Sequence, residues 1–355
     1  MVLCVTETGD LLRPRLKPAR WATSCAFAFN GFAWGTFIPR IPDVKQAFDL
    51  SNSHLGLTML AGSLGVLIAL KPGGYLCARF GSRQVLLGAT VYMSIALMLL
   101  GVLANYVWLV GSLLFLGIAT ALQDISMNTH AATIEKEAGR SLMNGFHAWF
   151  SVGALIGGAC GGVFTQFQVS ILMQMVIVGA VGLGTVPWFY RVLLPTSADQ
   201  HQQERDVQRQ RPSIFYVLGF LGFLAAVCEG SAADWGAVLL RDTWDASPFV
   251  SSLPFILFSA TMVIFRFSGD RVTDRFNRQW VIQVGGFTSG LGLLIGVLVG
   301  HPWGICFGFA MLGVGISVAI PSVFSAGSHI AREKFAGQFS PSAAVAVIGA
   351  VSYSG

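Results

Sequence analysis

Apolar blocks separated by short polar segments run along almost the whole chain. Each block holds about 20 residues, enough for a helix to cross the ~30 Å hydrocarbon layer of a membrane while satisfying its own backbone hydrogen bonds. The pattern therefore predicts an all-α polytopic membrane protein. The predicted spans are Trp21–Ile38, Leu55–Leu76, Gln84–Ala104, Val107–Met127, Met143–Thr165, Val169–Tyr190, Ile214–Leu240, Leu253–Phe267, Trp280–Gly300, Pro302–Ser325 and Ser342–Gly355.

Composition supports the membrane prediction and excludes an ordinary soluble domain. Only 11% of the 355 residues are charged and 54% are hydrophobic, whereas about a quarter of the residues in a soluble domain are charged. The six cysteines are scattered singly, without the spacing of a metal site or a disulfide framework. No phosphate-cradling loop or nucleophile–base pair is visible, so we expect no metal, no cofactor and no enzymatic activity.

The basic residues indicate how the chain is oriented. If the amino terminus is cytoplasmic, the outer loops contain only Arg40, Lys45 and Arg241 of the 22 Lys and Arg residues. Basic residues collect on the cytoplasmic side of membrane proteins, so we predict that the amino terminus is inside. The net charge of +5 follows from this topology and gives no reason to expect a nucleic-acid partner.

The chain also repeats itself. Residues 73–83 read GGYLCARFGSR and residues 269–279 read GDRVTDRFNRQ. The same offset of 196 residues, from 73 to 269, aligns LGIA at 116–119 with LGVG at 312–315. A parallel repeat of this kind is typical of secondary transporters. The predicted domains are a cytoplasmic tail (1–20), an N-terminal six-helix half (21–191), a cytoplasmic linker (192–213) and a C-terminal half (214–355) whose last helix is incomplete.

The repeated segment resembles the loop signature of the major facilitator superfamily, Gly-x-Leu-Ala-Asp-Arg-x-Gly-Arg-Arg. Ala78 replaces the Asp of the signature. The resemblance implies two six-helix halves, the second truncated within its eleventh helix, and a central cavity lined by helices one, four, seven and ten. It also implies that the loops act as gates. The matching positions are Gly74, Leu76, Arg79, Gly81 and Arg83 in the first copy, and Gly269, Asp274 and Arg275 in the second.

In the second loop, ion pairs are expected to close the cytoplasmic side. Asp270 and Asp274 lie among several arginines, including Arg266 and Arg275. Exposed ion pairs contribute ~0–1 kcal/mol each, so such contacts break readily, as a gate requires. The arginines can also serve simply to set the topology, and both roles are compatible.

Within the superfamily, the stretch LGIATALQDISMNTH is similar to the fourth helix of the fucose-permease group. That helix carries an acidic residue followed four positions later by Asn, as do Asp124 and Asn128 here. The acid on helix one of that group is replaced by Gly35. The segments MNTHAATIEK, NGFHAWFSVGALIGG and CEGSAADWG also resemble a bacterial inner-membrane subgroup of unassigned substrate. The resemblance implies a monomer in the cytoplasmic membrane and favours a sugar-like substrate.

Two carboxylates interrupt the seventh span. Glu229 lies near mid-membrane, where a charge costs on the order of 2.5–3.5 kcal/mol on insertion scales. Proton coupling needs a group that binds a proton on one side of the membrane and releases it on the other, and Glu229 is a candidate for this role. The alternative is that Glu229 is a polar residue bonded to a neighbouring helix. Asp234 lies five residues further, at roughly 140° around the helix, where it either takes part in transport or pairs with Arg241 near the outer interface.

Five further residues are candidates for transport. Asp124 and Asn128 share one helix face and are expected to contact solute or protons, with an ion pair to Lys71 or Arg79 as the alternative for Asp124. Asn30, near the middle of the first span, is a candidate hydrogen-bond donor to a polar solute. At the inner end of the fifth span, Asn144 and His147 form a candidate proton relay, or else they only contribute to packing. These candidates are Asn30, Asp124, Asn128, Asn144 and His147.

The sequence thus supports more than one function. We expect a secondary active transporter that moves a small polar solute by alternating access, with protons and the lipid bilayer as its other partners. A drug or metabolite exporter of the same fold is the first alternative. A membrane sensor or fragment without transport activity is the second, favoured by Ala78 and by the short final span.

Overall fold

The computed structural model describes residues 5–139, 142–196, 213–276 and 278–317, together with a few isolated residues up to 330. Within these ranges every regular element is helical, and the short 3-10 turn Ile38–Arg40 joins the first two helices. The predicted span 342–355 lies outside the described residues. The helices are α1 (Val5–Phe37), α2 (Ile41–Ala47), α3 (Asn52–Phe80), α4 (Ser82–Val102), α5 (Tyr106–Ala138), α6 (Met143–Gln166), α7 (Ile171–Val192), α8 (Ser213–Trp244), α9 (Pro248–Phe276), α10 (Arg278–Val299) and α11 (Pro302–Ile316).

Eight of these helices, α3 to α10, are long and apolar enough to cross a membrane. Helix α11 is apolar but shorter, and α1 carries the predicted first span at its carboxyl end. Large apolar side chains such as Leu57, Phe220 and Leu298 are exposed. Exposure of this kind suits a surface in contact with lipid rather than water, as the hydropathy pattern predicted.

Polar side chains define where several helices begin. The side chain of Ser51 accepts a hydrogen bond from the backbone N–H of His54 at the start of α3. Asn105 does the same for Trp108 at the start of α5, at 2.8 Å. Such N-cap contacts satisfy backbone donors that have no partner inside the helix. The sequence therefore places these helix starts where a short polar residue precedes an apolar block.

Contacts within the chain divide it into two compact units, Met1–Gln203 and Glu204–Gly355, here called the N-terminal and C-terminal units. In the N-terminal unit, α1 packs along α6, α3 along α5, and α4 against both α5 and α7. In the C-terminal unit, α9 packs against α8 and α11, and α10 packs against α11. The helices of each unit therefore bury one face against neighbours and leave another for lipid.

Both units contain the same close helix crossing at the offset found in the sequence. A Cβ atom on Gly117 of α5 would overlap the carbonyl oxygen of Gly62 of α3. In the C-terminal unit, a Cβ atom on Gly313 of α11 would overlap the carbonyl oxygen of Phe258 of α9. Positions 117 and 313 differ by 196, as do positions 62 and 258. The internal repeat is therefore present in the backbone packing of each unit.

These two crossings generate a stability prediction. Gly117→Ala and Gly313→Ala should each lower the free energy of unfolding by about 1–3 kcal/mol, because the added methyl group overpacks a backbone contact. The measurement is thermal unfolding of the purified protein in detergent.

Gly111→Ala is the matched control on α5, since a Cβ atom there meets nothing within 4 Å. It should be neutral or stabilising by up to about 1 kcal/mol, because Ala favours a helix more than Gly does. If Gly313→Ala unfolds at the same temperature as this control, the proposed equivalence of the two crossings is wrong.

Candidate functional site

A buried polar chain connects three helices of the N-terminal unit. Asn30 on α1 donates from Nδ2 to Oε1 of Gln123 on α5 at 3.0 Å. Gln123 donates in turn to the hydroxyl of Thr90 on α4 at 3.2 Å. All three residues are buried. Asn30, predicted from the sequence as a solute ligand, is therefore held in a fixed orientation by Gln123.

A second polar contact joins α1 and α5 one helical turn away. The indole N–H of Trp34 donates to the hydroxyl of Thr120 at 3.0 Å, and Thr120 donates to the carbonyl of Leu116. Sequence reasoning missed Trp34, Thr120 and Gln123. The available signal was the amide of Gln123 within an apolar span, which needs a partner when it is buried.

Asp124 and Asn128 lie together, as their spacing predicted. Nδ2 of Asn128 donates both to the carboxylate Oδ1 of Asp124 at 3.0 Å and to its backbone carbonyl at 2.9 Å. Across the described residues, no Lys or Arg forms an ion pair with Asp124. Arg79, one of the two alternative partners, is exposed and donates to the hydroxyl of Tyr75. The acid is therefore held by an amide rather than by a cation.

In the C-terminal unit, Glu229 pairs with an arginine at the predicted end of its span, which the sequence analysis had grouped with the ion pairs of the second loop. Nη2 of Arg266 on α9 lies 2.7 Å from Oε1 of Glu229 on α8. Nε of Arg266 also donates to the carbonyl of Ser317, just after α11, at 3.3 Å. The guanidinium of Arg266 on α9 therefore contacts both α8 and the end of α11.

The burial of this ion pair makes it energetically important. The Arg266 side chain is 11% exposed and the Glu229 side chain is 28% exposed. Two charges withdrawn from water are tolerated when they neutralise each other, but removal of one leaves the other uncompensated. The alternative foreseen for Glu229, a bond to a neighbouring helix, is therefore observed. This contact holds the carboxylate in place and leaves part of it exposed.

Asp234 lies five residues beyond Glu229 on α8 and is partly buried. Throughout the described residues, no ion pair to its carboxylate is found, so the predicted pairing with Arg241 is not seen. A carboxylate in an apolar helix without a counter-charge is costly unless it is protonated or faces water. Asp234 therefore stays a candidate for contact with solute or protons.

The histidines have different surroundings. The ring of His147, a predicted relay residue on α6, packs edge-to-face against Phe27 at 5.2 Å, while the side chain of Asn144 lies outside the described residues. His130 accepts at Nε2 from the backbone N–H of Leu194. Its proton therefore sits on Nδ1 and is donated to the hydroxyl of Ser82 at 2.7 Å. This buried contact, which joins α5 to the start of α4 and the end of α7, was not predicted.

The first signature loop is a tight turn between α3 and α4. Gly81 adopts φ 81°, a backbone conformation that favours glycine. The guanidinium of Arg83 lies 4.8 Å from the ring centroid of Tyr190 and donates to the carbonyl of that residue. Arg79 lies over the ring of Phe80 at 5.3 Å. Both arginines therefore contact aromatic residues of their own unit. The signature glycine Gly74 is not closely packed, since a Cβ atom there would meet nothing within 4 Å.

The second signature loop is described only in part. The side chains at positions 269–274, which include Gly269, Asp270 and Asp274, lie outside the described residues. Arg275 is described, and its guanidinium lies 5.4 Å from the ring centroid of Phe276. The arginine–aromatic contact found beside the first loop therefore recurs beside the second.

The helical fold, the repeated crossings and the charged residues inside spans define a multi-pass membrane protein of the transporter class. Residues 23–355 match the Major Facilitator Superfamily. The chain belongs to that superfamily and is a membrane transporter of this kind, which implies transport rather than catalysis. This result confirms the superfamily and the all-α fold predicted from the sequence.

Curated relatives agree with this assignment. The chain is 29% identical over 318 residues to an uncharacterised MFS-type transporter of Yersinia pestis, covering 87% of this chain and 80% of that protein. An uncharacterised transporter of Sinorhizobium fredii is also 29% identical, over 315 residues, covering 88% and 83%. Membrane protein MosC of Rhizobium meliloti is 27% identical over 323 residues, covering 89% and 77%.

Solved structures show the same fold. The nucleoside transporter NupG superposes with a TM-score of 0.68 at 13% identity, covering 95% of this chain and 87% of that one. A bacterial homologue of the human lysosomal transporter Spinster, in an inward-facing and occupied conformation, superposes with a TM-score of 0.66 at 15% identity, covering 94% and 77%. At these identities the likeness concerns the fold and not the solute.

The Glu229–Arg266 pair generates a prediction about stability. Glu229→Gln should lower the free energy of unfolding by about 1–3 kcal/mol, because the charged Arg266 then loses its counter-charge. The double variant Glu229→Gln/Arg266→Gln should recover most of that loss, since two amides of similar shape leave no uncompensated charge. Thermal unfolding in detergent at neutral pH measures both. Strictly additive effects of the two single substitutions would argue against the observed pairing.

Proposed function

We propose that the protein is a secondary active transporter that moves a small polar solute across the bacterial cytoplasmic membrane by alternating access, coupled to protons. In this proposal it works as a monomer with its amino terminus in the cytoplasm. The six-helix N-terminal half, 21–191, and the C-terminal half, 214–355, with five helices of which the last is incomplete, are joined by the linker 192–213. The bacterial relatives and the bias of Lys and Arg towards one side support this location and orientation.

The observation that carries the proposal is Glu229, a carboxylate within an apolar span that Arg266 contacts at 2.7 Å. Ionisable residues inside membrane spans face the protein interior or a water-filled cavity and commonly serve as proton or solute sites. A carboxylate that exchanges its arginine partner for a proton gives two distinct states of the same helix pair. Two such states are what coupling of a proton to transport requires.

The N-terminal unit supplies groups suited to a polar solute. Asp124 and Asn128 present a carboxylate and an amide on one face of α5. Asn30 supplies a further donor from α1, because its amide has a second N–H besides the bond to Gln123. In this proposal these groups bind the hydroxyl groups of a sugar-like solute, and Asp124 shares the proton-coupling role with Glu229. Asp234 and the relay residues Asn144 and His147 serve as further proton or solute contacts.

The signature loops act as the cytoplasmic gate in this proposal. Arg79 and Arg83 hold the first loop against aromatic residues. Gly81 allows the tight turn there, and Gly74 lies near the end of α3, before the turn. The corresponding elements of the second loop are Gly269, Asp270, Asp274 and Arg275. Exposed arginine–aromatic contacts contribute about 0.5–1 kcal/mol each and exposed ion pairs ~0–1 kcal/mol each, so contacts of both kinds open and close at small free-energy cost.

The proposal predicts a specific transport defect. Glu229→Gln should abolish accumulation of solute against its gradient but leave exchange of solute across the membrane, because a residue that stays neutral cannot carry a proton cycle. The measurement is uptake of a panel of labelled sugars into proteoliposomes with an imposed pH gradient, and counterflow in vesicles loaded with the same sugar. Asp124→Asn, tested on its own, should likewise abolish accumulation against the gradient and leave exchange.

Glu137→Gln is the matched control, since Glu137 is exposed at the end of α5. It should accumulate solute at the rate of the unmodified protein. Unchanged uphill uptake by Glu229→Gln would remove this residue from proton coupling. Binding of a sugar without any flux, in protein that is correctly folded, would instead identify a membrane sensor that has kept the transporter fold.

A further inference from the structure

An open groove lies in the N-terminal unit between α3 and α4, which both pack against α5. Its volume is about 480 Å³, within the range of about 300–1,000 Å³ that is usual for ligand sites. Apart from Gln84, the described residues that line it are apolar or aromatic. The groove therefore suits an apolar ligand. Its main lining residues are Leu76 and Phe80 of α3, Val85, Gly88 and Tyr92 of α4, and Leu122 of α5.

Gly88 leaves the groove open on one side. This glycine is exposed, and a Cβ atom on it would meet nothing within 4 Å. Ile95 and Val102 follow Gly88 on the same face of α4, at intervals of about two helical turns, and both are exposed. An exposed apolar face on a membrane-spanning helix is suited to contact with lipid. The groove therefore opens onto the lipid-facing side of α4.

The length of the groove matches one leaflet of a membrane. Along α4 its lining runs from Gln84 to Tyr92, a distance of about 12 Å at a rise of about 1.5 Å per residue. One leaflet accounts for about 15 Å of the ~30 Å hydrocarbon layer. At the deep end, the ring of Tyr92 packs edge-to-face against Phe115 of α5, with 4.3 Å between the ring centroids. A single acyl chain that enters beside the turn between α3 and α4 would therefore fill the groove.

Positive charge lies at the end of the groove beside this turn. Arg79 is exposed, and its guanidinium lies 5.3 Å from the ring centroid of Phe80, which lines the groove. The two helices that form the walls contribute only positive charge, since the sequence from 50 to 123 contains Lys71, Arg79 and Arg83 but no Asp or Glu. Basic residues at the membrane interface attract anionic lipid headgroups. This end of the groove therefore suits an anionic group.

We propose that the groove binds an anionic phospholipid of the phosphatidylglycerol class, with one acyl chain between α3 and α4 and the phosphate at Arg79. The guanidinium can donate to two phosphate oxygens, and the exposed amide of Gln84 supplies a further donor at the mouth of the groove. The phosphate also brings a negative charge to the turn where Ala78 replaces the Asp of the signature. In the proposed orientation the lipid lies in the cytoplasmic leaflet, and its binding requires no transport.

Native mass spectrometry of the full chain in detergent tests the headgroup site. The protein is titrated with dioleoyl-phosphatidylglycerol or with dioleoyl-phosphatidylcholine, which has the same acyl chains. The anionic lipid should bind about fivefold more tightly, as expected for one arginine at the interface. Arg79→Gln should bring the two affinities within about twofold of each other. The control Arg20→Gln, at an exposed position of α1, a helix with no described residue in the groove, should keep the preference.

Gly88→Leu tests the groove itself. The leucine side chain would occupy the space of the acyl chain and remove its van der Waals contacts, so the affinity for phosphatidylglycerol should fall by about tenfold. The unfolding temperature should not fall, because the space beside Gly88 is open and Leu favours a helix more than Gly does. Gly111→Leu is the matched control, since Gly111 on α5 is equally open and does not line the groove.

Three results would overturn the lipid site. The first is equal affinity of the unmodified protein for the two lipids. The second is unchanged binding of phosphatidylglycerol by folded Gly88→Leu. The third is a loss of preference in Arg20→Gln as large as that in Arg79→Gln, which would indicate general attraction to positive charge. If Gly88→Leu does not fold, Arg79→Gln still decides the question, because its position is exposed. Binding is measured without transport, so failure of the proposed transport leaves these results unaffected.

Discussion

Hydrogen bonding inside the hydrocarbon layer is the constraint on which this structure depends. Water is absent there, so each backbone group must find its partner within its own helix, and an unpaired polar group costs several kcal/mol. The same constraint applies to polar side chains in the spans. Asn30 therefore bonds to Gln123, and Glu229 to Arg266. These lateral contacts also fix the helices of each unit to one another, together with close backbone packing.

The two units satisfy this constraint in different ways. Within its spans the N-terminal unit uses neutral amides and hydroxyls, and even the carboxylate of Asp124 is held by the amide of Asn128. Its partly buried ion pair, Arg40 with Asp43 at 3.1 Å, lies beyond the end of α1. The C-terminal unit uses an ion pair. A neutral carboxyl group can keep its hydrogen bond with an amide, whereas it loses most of its attraction to a guanidinium. Loss of the negative charge would therefore be a small local change in one unit and the loss of an ion pair in the other.

Much of the fold could be predicted from the sequence, because apolar length and loop charge follow directly from the physics of the bilayer. The partner of Glu229 could not. Arg266 stood one residue before the predicted end of its span at Phe267, but α9 continues to Phe276, so the arginine lies inside the helix rather than in the loop. Gln123 was missed because mean hydropathy is averaged over a window of residues. Such an average does not show which helix a single amide side chain faces.

The repeated crossing has a consequence for how the two units have diverged. Gly117 meets Gly62, whereas Gly313 meets the backbone of Phe258. The contact needs a small residue on one helix only, because the opposite helix contributes a carbonyl oxygen that every amino acid possesses. The carbonyl side of the crossing therefore tolerates a change of residue, whereas the glycine side does not. The repeat is accordingly clearer in backbone geometry than in residue identity.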